Sequence, residues 1–235
     1  MATSIQKSSA FDVNTVQFSK FRKNKNGGKA VYLSGAGGSK IQLQFPYMRA
    51  PFGLSTFTDE ASKKTSYSLD LSFDVGDPEI EDLSNKLKTL DDIVTKTVAD
   101  NSTEWLGKKY NLTVIKEALY KPLVRPGKGE YPGTVKLKIL TDAKTGNFVP
   151  EAYNLKREEV PLTSIEKGHR MMAIVEVSQI WFIDNKFGIS VRLLQCLLEP
   201  SKKLPKFAFQ LPAVESGNPE EEEYEEGDEE DEVDA

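Results

Sequence analysis

Apolar and polar residues alternate over residues 66–74, and this pattern most constrains what the chain can fold into. Tyr67, Leu69, Leu71 and Phe73 lie on one side, with Ser and Asp residues between them. Successive side chains leave a strand on opposite faces, so a period of two is typical of a half-buried antiparallel strand. Comparable runs at residues 13–21, 30–33, 40–47, 135–139, 171–183 and 186–198 predict further strands. We therefore expect a mainly β fold.

One long amphipathic helix is predicted between the strands. Asp77 suits the N-cap and Pro78 the first turn. Apolar residues then recur every three or four positions, at Ile80, Leu83, Leu87, Leu90, Val94 and Val98. A shorter helix is expected at residues 113–120.

The order of elements is consistent with a small barrel. It is about three strands, a long helix between strands 3 and 4, an inserted hairpin around residues 135–148, and two long strands. This is the order of the OB-fold, a five-stranded Greek-key barrel that binds oligonucleotides. A generic β-sandwich with one helix would give a similar order, so that alternative stays open.

Charge divides the chain into two parts. The sequence has 31 Lys and Arg against 36 Asp and Glu, a net charge of −5. Residues 214–235 contain 13 of the acids and no basic residue, so they carry −13 while residues 1–213 carry +8. We predict a flexible N-terminal arm at 1–12, an OB-fold-like nucleic-acid-binding domain at 13–211 and a disordered acidic tail at 212–235, because the tail cannot bury a core.

Several functional classes are excluded by composition. A single Cys196 and a single His169 cannot supply a zinc finger or a disulfide framework. Cys196 lies in an apolar run that is typical of a core strand, which predicts a buried, inert thiol. Asp70 and Asp74 share one strand face, but no other acidic pattern supports a Mg²⁺ site. We predict no catalytic, metal or cofactor site, so the protein is not expected to be an enzyme.

The expected environment is intracellular and reducing. No run approaches the roughly 18 apolar residues of a membrane span. The first nine residues lack the apolar core of a signal peptide. We therefore predict no membrane association.

Basic and aromatic residues cluster in four places along residues 1–213, and each cluster could equally be a solvated turn or a core anchor. Together they favour nucleic acid, because clustered cations displace condensed counterions and bases stack on aromatic rings. The predicted phosphate contacts are Lys20, Arg22, Lys23, Lys25, Lys29, Arg49, Lys63, Lys64, Lys108, Lys109, Arg125, Lys128, Lys136 and Lys138. The predicted stacking residues are Tyr47, Phe52, Trp105 and Tyr131. Of Trp181 and Phe182, at least one is expected in the core.

The acidic tail is predicted to compete with nucleic acid for the basic surface. A flexible polyanion tethered to a basic groove binds it at high effective concentration. The residues assigned to this role, and to docking of partners, are Glu220, Glu221, Glu222, Glu223, Tyr224, Glu225, Glu226, Asp228, Glu229, Glu230, Asp231, Glu232 and Asp234. A purely solubilising tail is the alternative.

The sequence resembles single-stranded-DNA-binding proteins of large nucleocytoplasmic DNA viruses and, beyond them, those of short-tailed phages. The resemblance rests on residues 51–55, 67–73, 101–109 and 181–189 and spans about residues 12–200 plus the tail. It implies an OB-fold and coating of unwound DNA in viral replication, recombination and repair. It also implies a tail that docks DNA polymerase or helicase, and a location in the host cytoplasm, nucleus or viral replication site. The phage proteins typically end in an aromatic residue, whereas this sequence ends Asp234-Ala235, so Tyr224 is the aromatic residue left to that role.

Two functions from different classes remain at this stage. The first is a non-catalytic protein that binds single-stranded DNA, with no small-molecule substrate and with a homodimer left open. The second is an acidic-tailed chaperone for histones or other basic proteins. Basic and aromatic residues gathered on one concave face would favour the first, and a uniform spread would favour the second.

Overall fold

The computed structural model describes residues 5–23, 27–200 and 209. Fourteen strands lie within these ranges. They are β1 (Gln6–Lys7), β2 (Gln17–Phe18), β3 (Arg22–Lys23), β4 (Lys29–Ser34), β5 (Ile41–Gln44), β6 (Met48–Ala50), β7 (Leu54–Thr58), β8 (Thr65–Ser72), β9 (Tyr120–Lys121), β10 (Thr134–Ile139), β11 (Glu151–Asn154), β12 (Glu159–Val160), β13 (His169–Ile183) and β14 (Lys186–Leu198). The helices are α1 (Pro78–Asp100), α2 (Ser102–Leu106) and α3 (Leu112–Val114), followed by a π-helical turn at Ile115–Leu119.

Five of these strands close into a circuit. β6 pairs with β8, β8 with β10, β10 with β14, β14 with β13, and β13 again with β6. The β10–β14 pairing is parallel and the other four are antiparallel. The fold is therefore mainly β and OB-fold-like, as expected. β4 and β5 extend the sheet by pairing with other parts of the long strand β13.

Two positions in this circuit differ from the expected order. The strand at residues 134–139, expected in an inserted hairpin, is a barrel strand that pairs with β8 along its whole length. Its expected partner is reduced to one bridge between Thr141 and Phe148. The long helix α1 follows the second strand of the circuit, not the third. Residues 13–21 form only a 3₁₀ turn and the short strand β2, and β4 and β5 pair with β13 outside the circuit.

The helix α1 forms where the sequence predicts it. The Asp77 carboxylate accepts hydrogen bonds from the amides of Glu79 and Ile80, and Pro78 occupies the first turn. The apolar stripe from Ile80 to Val98 is buried in the same core cluster as the inward residues of the barrel strands. The core thus joins the helix to the barrel.

The N-terminal segment differs from the loose arm expected at residues 1–12. Its described part begins at Ile5, and β1 pairs in parallel with β5. Phe11 is buried, and the Lys86 ammonium donates to the carbonyl oxygens of Ser8 and Ser9. The buried Phe11 and the partly buried Lys86 therefore hold this segment to α1. The boundary at residue 211 and the acidic tail lie outside the described residues.

Bulges in the β13–β14 hairpin decide which side chains face the core. The register shifts between Val177 and Gln179, which places one extra residue on β13. Before the shift Val175 and Val177 are buried, and after it Ile180 and Phe182 are. Because the side-chain period of a strand is two, one inserted residue moves the core from odd to even positions. Gln179 and Trp181 consequently lie on the opposite face.

Candidate nucleic-acid interface

A groove of about 570 Å³ crosses the outer face of the barrel. It is lined by residues of β4, β7, β8, β10, β13 and β14 and by Arg125 from the segment before β10. Among the described residues that line it, four are cationic and none is acidic. The cations are Lys29, Arg125, Lys136 and Lys138. Such a groove attracts a polyanion, because low-dielectric walls focus the field of charges of one sign.

Two of these cations follow directly from the strand period of β10. Val135 and Leu137 are buried in the core, and Lys136 and Lys138 between them are exposed on the outer face. Lys138 lies opposite Ser68 on one neighbour and opposite Arg192 on the other. The two ammonium groups therefore stand in the middle of the barrel face rather than at its edge.

Arg125 reaches the groove from a loop that is tied to the sheet. Its amide donates to the carbonyl oxygen of Thr134 at 2.8 Å, and the Thr134 amide donates back at 3.0 Å. The guanidinium lies 3.7 Å from a carboxylate oxygen of Asp70, which is only 8% exposed. Half of the Arg125 side chain remains exposed, so it can contact a phosphate without leaving Asp70.

Aromatic rings lie beside the cations. Phe57 near the end of β7 is 67% exposed, and Trp181 on β13 is partly exposed. Tyr67 also lines the groove and packs edge-to-face on Phe148, with ring centroids 4.9 Å apart. Exposed ring faces next to ammonium groups are the elements with which proteins bind unpaired nucleotides.

The structure brings some of the predicted phosphate contacts together and leaves others apart. Lys29, Arg125, Lys136 and Lys138 line the groove. The remaining predicted residues that the structure describes do not line it: Lys20, Arg22, Lys23, Arg49, Lys63, Lys64, Lys108, Lys109 and Lys128. Lys25 lies outside the described residues. Lys23 pairs with Lys29 across β3 and β4, so Lys23 lies next to a residue that lines the groove.

Arg49 is engaged in an ion pair. Its guanidinium donates to both carboxylate oxygens of Asp74, at 2.9 and 2.6 Å, and Ser72 donates to the same carboxylate at 2.7 Å. Bidentate pairs of this kind are strong and geometrically specific. Asp74 is thereby occupied, and no group of three metal-ligating side chains occurs among the described residues.

Trp105 requires a correction. It was expected to stack on bases, but it is only 6% exposed. Its ring stacks on Phe21 at 6.4 Å and meets Phe182 edge-on at 6.1 Å. Trp105 is therefore a core residue, because the short helix α2 directs it inward beneath the β13–β14 hairpin.

The other three predicted stacking residues do not line the groove. Phe52 is 62% exposed and Tyr131 is 78% exposed, while Tyr47 is partly buried. Phe52 is adjacent to Gly53, where an added Cβ would come within 2.8 Å of the Ile165 carbonyl oxygen. The 51–53 turn is therefore packed against the segment before β13.

The functional candidates that sequence reasoning missed are Phe57 and Trp181. A signal for Phe57 was present, because it ends a segment, residues 45–57, that holds four aromatic residues and an arginine. The sequence does not decide which of Trp181 and Phe182 lies in the core, whereas the bulge at Val177/Gln179 does. Both residues line the groove, but Phe182 is only 5% exposed and packs in the core, whereas Trp181 is partly exposed.

The single thiol behaves as expected from its sequence context. Cys196 is buried, and this burial raises its pKa to about 12. A thiol with such a pKa is almost entirely protonated near neutral pH, so it is a poor nucleophile. Within the described part of the chain, no helix is both long and apolar enough to cross a membrane.

Comparison with known proteins places the chain in a family. It belongs to DUF5871, a family of unknown function, which matches residues 62–211. It is also 27% identical over 161 residues to the uncharacterized protein L291 of Acanthamoeba polyphaga mimivirus. That similarity covers 66% of this chain and 25% of the relative, so the chain spans about a quarter of the length of the mimivirus protein.

Two solved structures are similar in fold at low sequence identity. The first is gp2.5, a single-stranded DNA binding protein encoded by bacteriophage T7, with 13% identity, a TM-score of 0.45, and coverage of 67% of this chain and 91% of that one. The second is the single-stranded DNA-binding protein of bacteriophage Enc34 in complex with ssDNA, with 12% identity, a TM-score of 0.39, and coverage of 80% and 97%.

Proposed function

We propose that this protein is a non-catalytic single-stranded-DNA-binding protein and that the DNA lies in the groove on the barrel face. The observation that carries the proposal is the composition of the groove wall. It combines Lys29, Arg125, Lys136 and Lys138 with the exposed ring of Phe57 and the partly exposed ring of Trp181, and none of its described lining residues is acidic. The clustering of basic and aromatic residues on one concave face favours this function over a chaperone for basic proteins.

Single-stranded DNA fits this groove better than a duplex does. Stacking on Phe57 and Trp181 needs bases whose faces are accessible, and in a duplex those faces are already stacked within the helix. Each such contact contributes roughly 1–3 kcal/mol without sequence preference, while cations neutralise the phosphates. The same wall would accept single strands of any sequence, which suits a protein that coats unwound DNA during viral replication, recombination and repair.

The acidic tail is proposed to regulate this site. Its 13 acids carry the charge opposite to that of the groove, and as a tethered segment it would occupy the groove when DNA is absent. DNA binding would then release the tail to dock a polymerase or helicase. Intracellular replication sites are where such a protein would act.

One titration tests the proposal. Full-length protein and a variant ending at residue 213 are titrated against a labelled single strand and the matching duplex at several salt concentrations. We expect preference for the single strand, affinity that falls with salt, and tighter binding without the tail. Equal affinity for both DNA forms would overturn the proposal, and unchanged or weaker binding without the tail would overturn the tail's role. Binding of basic proteins with no DNA affinity in either form would support the chaperone.

A further inference from the structure

A short segment runs from the π-helical turn at Ile115–Leu119 to the groove. We call residues 120–125 the strap. It begins at β9, where Tyr120 and Lys121 pair in parallel with Phe187 and Gly188 of β14. It ends at Arg125, which bridges Thr134 and lines the groove. The position of the Arg125 guanidinium therefore depends on how the strap is held between these two pairings.

The middle of the strap is held by a carboxylate of α1. Asp91 accepts the amide of Leu123 on both of its oxygens, each at 3.1 Å, and the amide of Val124 at 3.4 Å. The Tyr120 hydroxyl donates to the same carboxylate. One side chain thus receives three donors from the strap, and Leu123 itself is buried. Without Asp91, the two amides would lose their acceptor, which is costly in a buried setting.

Two further features restrict the strap near Asp91. The Lys116 ammonium contacts the neighbouring Asp92 at 2.6 Å, which ties the turn before the strap to α1. Lys121 and Arg125 each precede a proline, Pro122 and Pro126, which restricts both to extended backbone conformations. The strap therefore has little freedom other than a displacement away from Asp91.

We propose that Asp91 is a positioning residue for DNA binding, holding Arg125 in the groove through the amides of Leu123 and Val124. This rests on the proposed function of the groove. Asp91 lies on the helix and does not line the groove, so it contacts no DNA itself. Its effect on binding passes through Arg125, and this distinguishes it from a residue that only stabilises the fold.

A double-mutant cycle on the full-length chain tests this. Asp91→Asn, Arg125→Ala and the double variant are titrated with an oligo-dT probe, and amide hydrogen exchange is followed at Leu123 and Val124. We expect Asp91→Asn to accelerate exchange at these two amides and to weaken binding severalfold. In the Arg125→Ala background, Asp91→Asn should cause no further loss of affinity. Lys136 is a groove cation outside the strap. When Asp91→Asn is combined with Lys136→Ala, the fold-losses in affinity of the two single variants should multiply.

The outcomes separate the two proposals. If Asp91→Asn weakens binding equally with and without Arg125, or leaves exchange unchanged, its role is structural and the positioning proposal is overturned while the groove stands. If the wild-type chain does not bind oligo-dT, the groove proposal itself fails. Tyr120→Phe removes one donor and no charge, and it replaces Asp91→Asn in the cycle should that variant not fold. The same lack of effect in the Arg125→Ala background is then expected.

Discussion

The indole of Trp181 lies across Gly188, its direct partner in the β13–β14 hairpin. A Cβ on Gly188 would come within 2.9 Å of Cζ2 of the Trp181 ring and within 2.9 Å of the Lys121 carbonyl oxygen. Glycine is therefore needed at this position for close approach. The absence of a side chain at Gly188 allows the indole to lie toward the groove. It also allows the strap to pack against β14.

Replacing Gly188 by Ala should disturb both. We expect a loss of about 1–3 kcal/mol in the free energy of unfolding, since the Lys121 backbone cannot move as easily as a side chain. Trp181 should shift, with weaker binding of single-stranded DNA. Urea unfolding and tryptophan fluorescence measure these effects. Gly35→Ala is the control, because its added Cβ would make one tight contact, to the Ser39 hydroxyl at 3.1 Å, and otherwise lie at ordinary contact distance, 3.8 Å or more. Equal behaviour of the two variants would contradict the prediction.

Phe57 and Phe52 form a matched pair for the stacking role. Both are phenylalanines that are mostly exposed, 67% and 62%, but only Phe57 lines the groove. Phe57→Ala should weaken binding of single-stranded DNA by roughly 1–3 kcal/mol, the range for a lost base–aromatic stack. Phe52→Ala should leave affinity unchanged. Fluorescence anisotropy at fixed salt measures both affinities. A larger loss of affinity for Phe52→Ala than for Phe57→Ala would instead support stacking at Phe52, as the sequence predicts.

Lys136 and Lys138 should contribute through phosphate neutralisation. For single strands, the slope of log affinity against log salt is about −0.7 for each phosphate neutralised. Replacing both lysines by Ala should therefore make the slope less negative by up to about 1.4. Lys96→Ala, an exposed lysine on α1 outside the groove, is the control. A slope unchanged by the double substitution would exclude these two cations from the DNA contact.

Asp91 should leave a signature in the pH dependence of stability. Burial raises its pKa to about 6, although the Tyr120 hydroxyl and the strap amides favour the charged form. Between the unfolded pKa of about 3.9 and this value, the folded chain binds more protons at Asp91 than the unfolded chain does. The stability contributed by this group is therefore fully present below pH 4 and is lost as pH rises to about 6.

The expected size of this loss is up to about 3 kcal/mol, from roughly two pKa units at 1.36 kcal/mol each. Asp91→Asn has no titrating group at this position, so the difference in unfolding free energy between wild type and variant should change across pH 4–6 and stay constant above it. Urea unfolding at pH 4, 5, 6 and 7 provides the test. A difference that is independent of pH would show that Asp91 titrates normally.

Local patterns predicted the regular elements well. The helix α1 begins at the predicted cap and buries the predicted stripe, and β8, β10, β13 and β14 lie where the alternation indicated. These elements were predictable because a repeating pattern records which face is buried. The candidate site was predicted in part: Lys29, Arg125, Lys136 and Lys138 reach the groove, whereas Trp105 does not.

The sequence by itself determined the β character, the single long helix, the inert thiol and the separation of charge between residues 1–213 and the tail. Only the tertiary structure decided which cations share a groove and which tryptophan faces it. The closed circuit brings Lys138 of β10 opposite Arg192 of β14, 54 residues further along the chain. One extra residue between Val177 and Gln179 exchanges the faces of β13. Pairing between distant strands and a single bulge are set by packing of the whole core, so a local period of two cannot encode either.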